Sequence, residues 1–169
     1  IRIFGDDTFA IHLTEGHAMA VSNSTITDST RVISNRHQGR AAIDIENATE
    51  GLVEVFGNTI HNCRQWGIRV ARRNPTTTWG HVFNNHIYPN IIVTNGYGIG
   101  LYGDKLDVYG NTIQATNGRG IHIELCDSAK VHNNDVDVIN EPPDPEYTRL
   151  SSHGIKLEFC TNANVYSNT

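Results

Sequence analysis

The chain has 169 residues and a formal net charge of −5, which is long enough for one domain with a continuous core. Because charges of both signs are interspersed, the composition excludes the basic surface typical of nucleic-acid binding. No apolar stretch approaches the about 18 residues that a membrane-spanning helix needs. Three cysteines are too few for a dense disulfide scaffold.

A four-residue phrase recurs six times along the chain. It consists of a small residue, an isoleucine, a variable residue and a second apolar residue, and this alternation predicts a β-strand with its apolar side chains on one face. The copies, in chain order, are Ala10-Ile11-His12-Leu13, Ala42-Ile43-Asp44-Ile45, Gly67-Ile68-Arg69-Val70, Gly98-Ile99-Gly100-Leu101, Gly120-Ile121-His122-Ile123 and Gly154-Ile155-Lys156-Leu157. Successive isoleucines are 32, 25, 31, 22 and 34 residues apart.

A second phrase, beginning with valine, follows each copy of the first. It spans residues 21–26, 55–60, 82–87, 108–113, 131–136 and 165–169. Its fourth position is Ser24 in the first copy and asparagine in the others: Asn58, Asn85, Asn111, Asn134 and Asn168. Because asparagine tolerates the left-handed conformation, we expect these residues to form a sharp bend. Stacked on adjacent coils, their side chains would bond as a ladder that starts weakly at Ser24.

A parallel coil explains the period better than other repeat architectures. Three short strands and three turns fit the shortest spacing of 22 residues. Helical hairpin repeats need amphipathic runs that the chain lacks, and a propeller blade needs about 40 residues.

The two phrases resemble those of the pectate-lyase-like family of right-handed parallel β-helices, over about residues 8–169. The resemblance implies an all-β, right-handed parallel β-helix solenoid of about six coils with an Asn ladder. It also implies that the first phrase is the first strand of each coil and that the asparagine bend joins the second and third strands. The family includes lyases, hydrolases, epimerases, tailspikes and adhesins, so it leaves the reaction open.

We expect residues 1–169 to form a single β-helix domain that is a fragment truncated at both ends, because neither end shows a cap. End-to-end stacking of subunits is the alternative. Long loops are predicted at residues 27–40, 71–79 and 139–153. The resemblance implies that loops beside the first strand wall a substrate cleft, although solenoids also tolerate surface insertions without a function.

Two glutamates are predicted to be neighbours on the outer face of the first strands. Glu124 and Glu158 occupy the same position on adjacent coils, about 4.8 Å apart, and one of their pKa values should rise unless a cation lies between them. They could be ligands of calcium, or an acid and nucleophile pair of a retaining glycosidase. The third alternative is a solvated ladder that Lys156 and His122 neutralise.

The resemblance also implies how a lyase site would operate. Lyases of that family neutralise a uronate carboxylate with calcium or arginine, and a basic side chain then removes the proton at C5. By proximity alone, Lys156 or His122 is the candidate base, and Arg69 or Arg149 the candidate for binding the carboxylate.

Three further outward residues complete the predicted substrate-binding set. Asp44 and Glu46 lie on the same face in an earlier coil. Tyr102 lies beside the gap left by Gly100, so it could stack on a sugar ring, or it could be an ordinary strand aromatic.

The remaining aromatic and sulfur side chains have structural alternatives. Trp66 and Trp79 are expected at coil corners, where they contact sugar or pack under loops. Cys126 and Cys160 should be stacked on adjacent coils, as two thiols rather than a disulfide, because their Cβ vectors are parallel. Cys63 is expected to be free.

Three functions remain open on the sequence. The first is an extracellular or cell-surface enzyme that acts on an acidic polysaccharide as a lyase, an epimerase or a hydrolase. Calcium is the one cofactor that it could need. The second is a non-catalytic glycan-binding tailspike or adhesin, with a homotrimer as its expected assembly. The third is a structural stack in a surface layer.

Overall fold

The computed structural model describes residues 10–16, 18–27, 41–46, 51–61, 66–71, 78–83, 86–88, 97–116, 118–139 and 153–169. Asn85, Cys63, Arg149 and most of the three predicted long loops lie outside the described residues. Within them, all regular structure is β-strand, and no helix is long and apolar enough to cross a membrane.

The described residues form seventeen strands. The first three coils contain β1 (Ile11–Thr14), β2 (Met19–Ser22), β3 (Thr25–Thr27), β4 (Ala41–Glu46), β5 (Gly51–Phe56), β6 (Thr59–His61), β7 (Trp66–Ala71), β8 (Thr78–Phe83) and β9 (His86–Tyr88). The next three contain β10 (Tyr97–Tyr102), β11 (Leu106–Tyr109), β12 (Thr112–Thr116), β13 (Arg119–Glu124), β14 (Ala129–His132), β15 (Asp135–Ile139), β16 (His153–Glu158) and β17 (Asn164–Tyr166).

Every third strand joins the same parallel sheet. The first sheet has the order β1-β4-β7-β10-β13-β16, the second β2-β5-β8-β11-β14-β17 and the third β3-β6-β9-β12-β15. Each of the first five coils therefore contributes one strand to each sheet, and the sixth contributes β16 and β17, which confirms the predicted parallel β-helix. Trp66 begins β7 and Trp79 lies in β8, so the expectation that both lie at coil corners is wrong.

The isoleucines of the first phrase hold the coils in register. They form one paired row, Ile11, Ile43, Ile68, Ile99, Ile121 and Ile155. Its four central members are fully buried in a core that also contains the valines of the second sheet. Burying each such side chain contributes about 1.5–3 kcal/mol, so a slip by one residue would expose the entire row to water.

The small residue of the first phrase is required by the next coil. A Cβ on Gly120 would lie 2.1 Å from Val136 Cγ1 and 2.5 Å from the backbone oxygen of Gly154. One on Gly98 would lie 2.5 Å from Ile113 Cγ2. At Gly98 and Gly120 the first and third strands approach so closely that no side chain fits between them, whereas the second coil has the buried Ala42 at the same position.

The predicted asparagine ladder is confirmed. The amide of Asn134 donates to Asn168 Oδ1 (2.9 Å) and to the backbone oxygen of Val108 (3.0 Å), while its own Oδ1 accepts from the backbone and side chain of Asn111 (3.1 and 2.9 Å). At the first coil, Asn58 Oδ1 accepts from the backbone N–H of Ser24 (3.0 Å). The bend lies between the second and third strands, as the resemblance implied.

The conformational role expected for these asparagines is wrong. The left-handed residue is the one before each ladder position, with φ between 50° and 65°: Asn23, Gly57, Gly110, Asn133 and Ser167. That residue makes the bend and points to solvent, which leaves the ladder asparagine free to turn its amide inward. Asn58, Asn111 and Asn134 are accordingly buried.

The two stacked cysteines are free thiols, as predicted. Cys126 is buried in the core, and burial raises the pKa of its thiol to about 11. Cys160, one coil later, donates to the backbone oxygens of Glu158 (3.3 Å) and Ile123 (3.5 Å).

Candidate functional site

The variable residue of the first phrase forms a continuous row on the outer face of the first sheet. Strand pairing places its six members in register as His12, Asp44, Arg69, Gly100, His122 and Lys156. A parallel row places Tyr102 beside Glu124 and Glu124 beside Glu158. The predicted outward face is therefore confirmed, and its side chains gather into two polar clusters with aromatic rings between them.

The first polar cluster consists of His12, Asp44, Glu46 and Arg69. The guanidinium of Arg69 donates from Nη1 to Asp44 Oδ1 (3.1 Å) and Oδ2 (3.3 Å), and from Nη2 to Glu46 Oε1 (2.5 Å). From the other side, His12 Nε2 lies 3.6 Å from Asp44 Oδ2 and 3.8 Å from Glu46 Oε2. The three residues predicted to bind substrate here thus bind one another.

Asp44 is an unusual member of this cluster because it points outward and yet its side chain is 0% exposed. Burial raises the pKa of its carboxyl to about 6, against the opposing attraction of Arg69, and the negative charge of Glu46 adds to the rise. One guanidinium therefore compensates incompletely for two adjacent carboxylates.

Aromatic rings fill the middle of the face. The indole of Trp66 lies over Gly100, where a Cβ would come within 2.2 Å of Trp66 Cζ3. Trp66 packs edge-on against Tyr97 at 4.3 Å between ring centroids and is stacked with Tyr102 at 6.3 Å. The gap predicted beside Tyr102 is therefore occupied by an indole of the same chain, which is why a sugar ring cannot enter at Gly100 itself.

The second polar cluster consists of Tyr97, Arg119, His122, Lys156 and Glu158. Lys156 Nζ donates to Glu158 Oε2 (2.5 Å), and His122 Nε2 lies 3.2 Å from the same oxygen. The imidazole of His122 is stacked on the ring of Tyr97 at 4.8 Å, and Arg119 donates to the Tyr97 hydroxyl (2.6 Å). Three of the four predicted catalytic residues thus meet at one carboxylate oxygen.

His122 is a neutral, buried imidazole. Burial lowers its pKa, and the charges of Arg119 and Lys156 lower it further, while Glu158 opposes the shift. Since an ionised carboxylate only accepts, Nε2 must carry the proton and Nδ1 a lone pair. Nδ1 is buried and has no hydrogen-bond partner among the described residues.

Glu158 behaves differently from the prediction for two adjacent carboxylates. Its pKa is lowered, first by the hydrogen bond from Lys156 and then by that from His122, so the rise expected from repulsion does not occur at this residue. The pairing is the one expected of a carboxylate neutralised by Lys156 and His122. Glu124 lies beside Glu158 in the strand register and is half-buried.

The sequence prediction missed Tyr97 and Arg119, and it placed Trp66 at a coil corner rather than on the outer face. Each immediately precedes the small residue of a first phrase, and pairing places them in one outer row with Ala41 and His153. Period-2 alternation alone would have placed them on the inner face, two positions before a buried isoleucine, because it does not show that the small residue in between also turns toward the core. Arg149, the other predicted carboxylate-binding arginine, lies outside the described residues.

Comparison with known proteins identifies the repeat architecture alone. A family model described as "Right handed beta helix region" matches residues 2–169. No curated protein and no solved structure matches the chain.

Proposed function

The chain belongs to the right-handed β-helix family, and on that premise we propose that it processes an acidic polysaccharide along the outer face of its first sheet. The reaction would be an elimination, an epimerisation or a hydrolysis, and the protein would act outside the cell or at its surface, where such polymers occur. A polymer can lie across several coils of this face, because equivalent residues repeat about every 4.8 Å.

The observation that carries the proposal is the convergence of Lys156 and His122 on one oxygen of Glu158. Elimination and epimerisation at a uronate both need a base beside the proton at C5 and a positive charge beside the carboxylate. Burial lowers the pKa of His122, which favours its neutral, basic form. Lys156 and Arg119 provide cations within the same cluster. Arg69 suits the carboxylate-binding role less well, because Asp44 and Glu46 already engage its guanidinium.

Calcium between Glu124 and Glu158 stays a prediction. Two carboxylates provide at most four of the about six to eight oxygens that calcium takes. Lys156 already pairs with Glu158, so calcium would need further oxygens from the substrate. A lyase that obtains part of its calcium ligands from a uronate carboxylate would show activity that rises when calcium is added.

The decisive experiment is a screen of the protein against uronate-containing polymers, with and without calcium, by the absorbance of unsaturated uronate products. Lys156→Ala and Glu124→Gln should abolish the signal. Lys130→Ala is the matched control, because Lys130 is an exposed lysine on the second sheet. Equal loss of activity in Lys130→Ala would contradict a site on the first sheet, and absence of product from every polymer would eliminate the lyase.

A second candidate function, glycan binding without catalysis, is favoured by one observation. The side chain of His122 is only 3% exposed, and the polar groups of the second cluster are already bonded to one another. Such a surface can bind a glycan while its basic side chains stay bonded to one another and do not take a proton from the substrate. Glycan capture that persists without turnover, and that weakens in Lys156→Ala but not in Lys130→Ala, would favour this function.

A further inference from the structure

We propose that His12, Asp44 and Glu46 form a binding site for a divalent transition-metal ion, with zinc as the first candidate. The site lies in the first polar cluster, at the opposite end of the first sheet from the residues of the proposed reaction. It does not depend on that reaction, because every argument for it comes from the geometry of this cluster.

The three donor atoms have the spacing of a metal site. One imidazole nitrogen and one oxygen of each carboxylate all lie within 4.8 Å of one another. His12 Nε2 is 3.6 Å from Asp44 Oδ2 and 3.8 Å from Glu46 Oε2. Tetrahedral zinc, with bonds of about 2.0–2.1 Å, holds its ligands about 3.4 Å apart. The two distances from His12 would need to shorten by a few tenths of an ångström, whereas the two carboxylate oxygens, which lie within 4.8 Å of each other, would have to approach by up to about 1.4 Å.

Arg69 leaves the oxygens that face His12 able to bind a cation. Its guanidinium takes Glu46 by Oε1, so Oε2 is directed to the imidazole. Its contact with Asp44 is shorter to Oδ1 than to Oδ2, and a carboxylate oxygen has lone pairs for two partners. Arg69 would thus hold the carboxylates from behind, as the outer partners of ligating carboxylates commonly do.

The charge of the cluster also favours a cation. Two carboxylates face one guanidinium, and the carboxylate of Asp44 is fully buried. Among the described residues the two carboxylates thus share one guanidinium, and a divalent ion would supply further positive charge. The competing explanation is a protonated His12, which would balance the same charge without a metal.

The ligand types indicate which ion would bind. A nitrogen donor with two carboxylates suits zinc or a neighbouring transition metal, whereas calcium takes oxygen alone. Three protein ligands leave a fourth position, which is the pattern of open rather than structural sites. The side chains of His12 and Glu46 are 37% and 31% exposed, so that position would face solvent and accept water or an oxygen of a bound molecule.

Calorimetric titration of the metal-free intact chain with zinc chloride tests the proposal, supported by the visible spectrum of the cobalt-substituted protein. We expect one site of tetrahedral cobalt character whose affinity falls about tenfold or more in His12→Ala. Glu46→Gln, which retains the shape and the hydrogen bond to Arg69, should weaken it as well. Both residues are partly exposed, so the variants are expected to fold.

The chain has nine histidines, so the control is His132→Ala, a partly exposed histidine on the second sheet that pairs with Asp107. It should leave zinc affinity unchanged. The proposal is overturned if wild-type protein binds zinc no better than His12→Ala, or if His132→Ala loses as much affinity as His12→Ala. In either case a protonated His12 in a four-charge network would explain the cluster.

Discussion

Two rows of side chains run along this solenoid at the same coil-to-coil spacing, and they are built in opposite ways. The inner row, at the bend after the second strand, is asparagine at Asn58, Asn111, Asn134 and Asn168. The outer row on the first sheet contains six residues of five different types, from His12 to Lys156. In the inner row the amides of Asn111 and Asn134 each bond to the equivalent asparagine on the next coil. In the outer row the contacts join unlike partners, such as Arg69 with Asp44.

The difference shows which positions a solenoid can vary. A buried amide must satisfy its donors and acceptors within the protein, and a rung made of the same residue does this at every coil. Outer side chains, apart from the buried Asp44 and His122, have water as an alternative partner, so their identity can change from coil to coil. We therefore expect any chemistry on the outer row, and the larger contribution to stability from the inner row. Four variants test this division, beginning with the largest expected effect.

Asn134→Ala should be the most destabilising of the four changes, by about 3 kcal/mol, because it removes three buried hydrogen bonds: the two that Asn134 Oδ1 accepts from Asn111 and the one that its amide donates to Val108. Urea denaturation measures the loss. Asn133→Gly is the control, since the adjacent residue is exposed, has φ of 54° and is replaced by glycine in two other coils. It should change the free energy of unfolding by no more than about 0.5 kcal/mol. Equal losses in the two variants would show that the asparagine ladder does not contribute to stability.

Gly120→Ala should cost about 1–3 kcal/mol, because its Cβ would collide with Val136 and with the backbone of Gly154. Gly154→Ala provides the same substitution at the same position of the next first phrase, where no atom lies within 4 Å of the added Cβ. We expect no measurable change there. If both variants lose stability equally, the requirement for a small residue does not come from the following coil.

Arg69→Met should cost about 2 kcal/mol in thermal or urea unfolding, because it leaves the buried carboxylate of Asp44 without its guanidinium. Lys156→Met removes the cation of the second cluster, whose partner Glu158 faces solvent, and should leave the unfolding midpoint unchanged. Equal effects would contradict the difference in burial between the two clusters.

The smallest effect concerns the pH dependence of stability. The pKa of His122 is lower in the folded chain than its ordinary value of 6.5, so the unfolded chain binds the proton first as the pH falls. The contribution of His122 to the free energy of unfolding should therefore decrease as the pH falls below about 6.5, by at most about 1.4 kcal/mol per pH unit. Asp44 contributes in the opposite direction, because its pKa is raised to about 6 in the folded chain. His122→Gln should remove this component of the slope. An unaltered slope between about pH 7 and pH 5 would show that His122 titrates normally.

Most of the fold was predictable from the sequence because each coil repeats the same local rules. Period-2 alternation fixed which side of each strand is buried, and the recurrence of Ile and Asn fixed the register. The error was local as well: the bend occupies two positions, and the sequence pattern alone did not show that the first, at Asn23 or Gly57, takes the left-handed conformation.

The candidate site was predictable only as a face. The alternation placed His122, Lys156 and Glu158 together, because residues at one position of a repeat stack on adjacent coils. It could not show that Trp66 covers Gly100, that Asp44 is buried although it points outward, or that Lys156 and His122 share one oxygen. Those facts depend on side-chain rotamers and on packing between residues 22–37 positions apart, which only the tertiary structure decides.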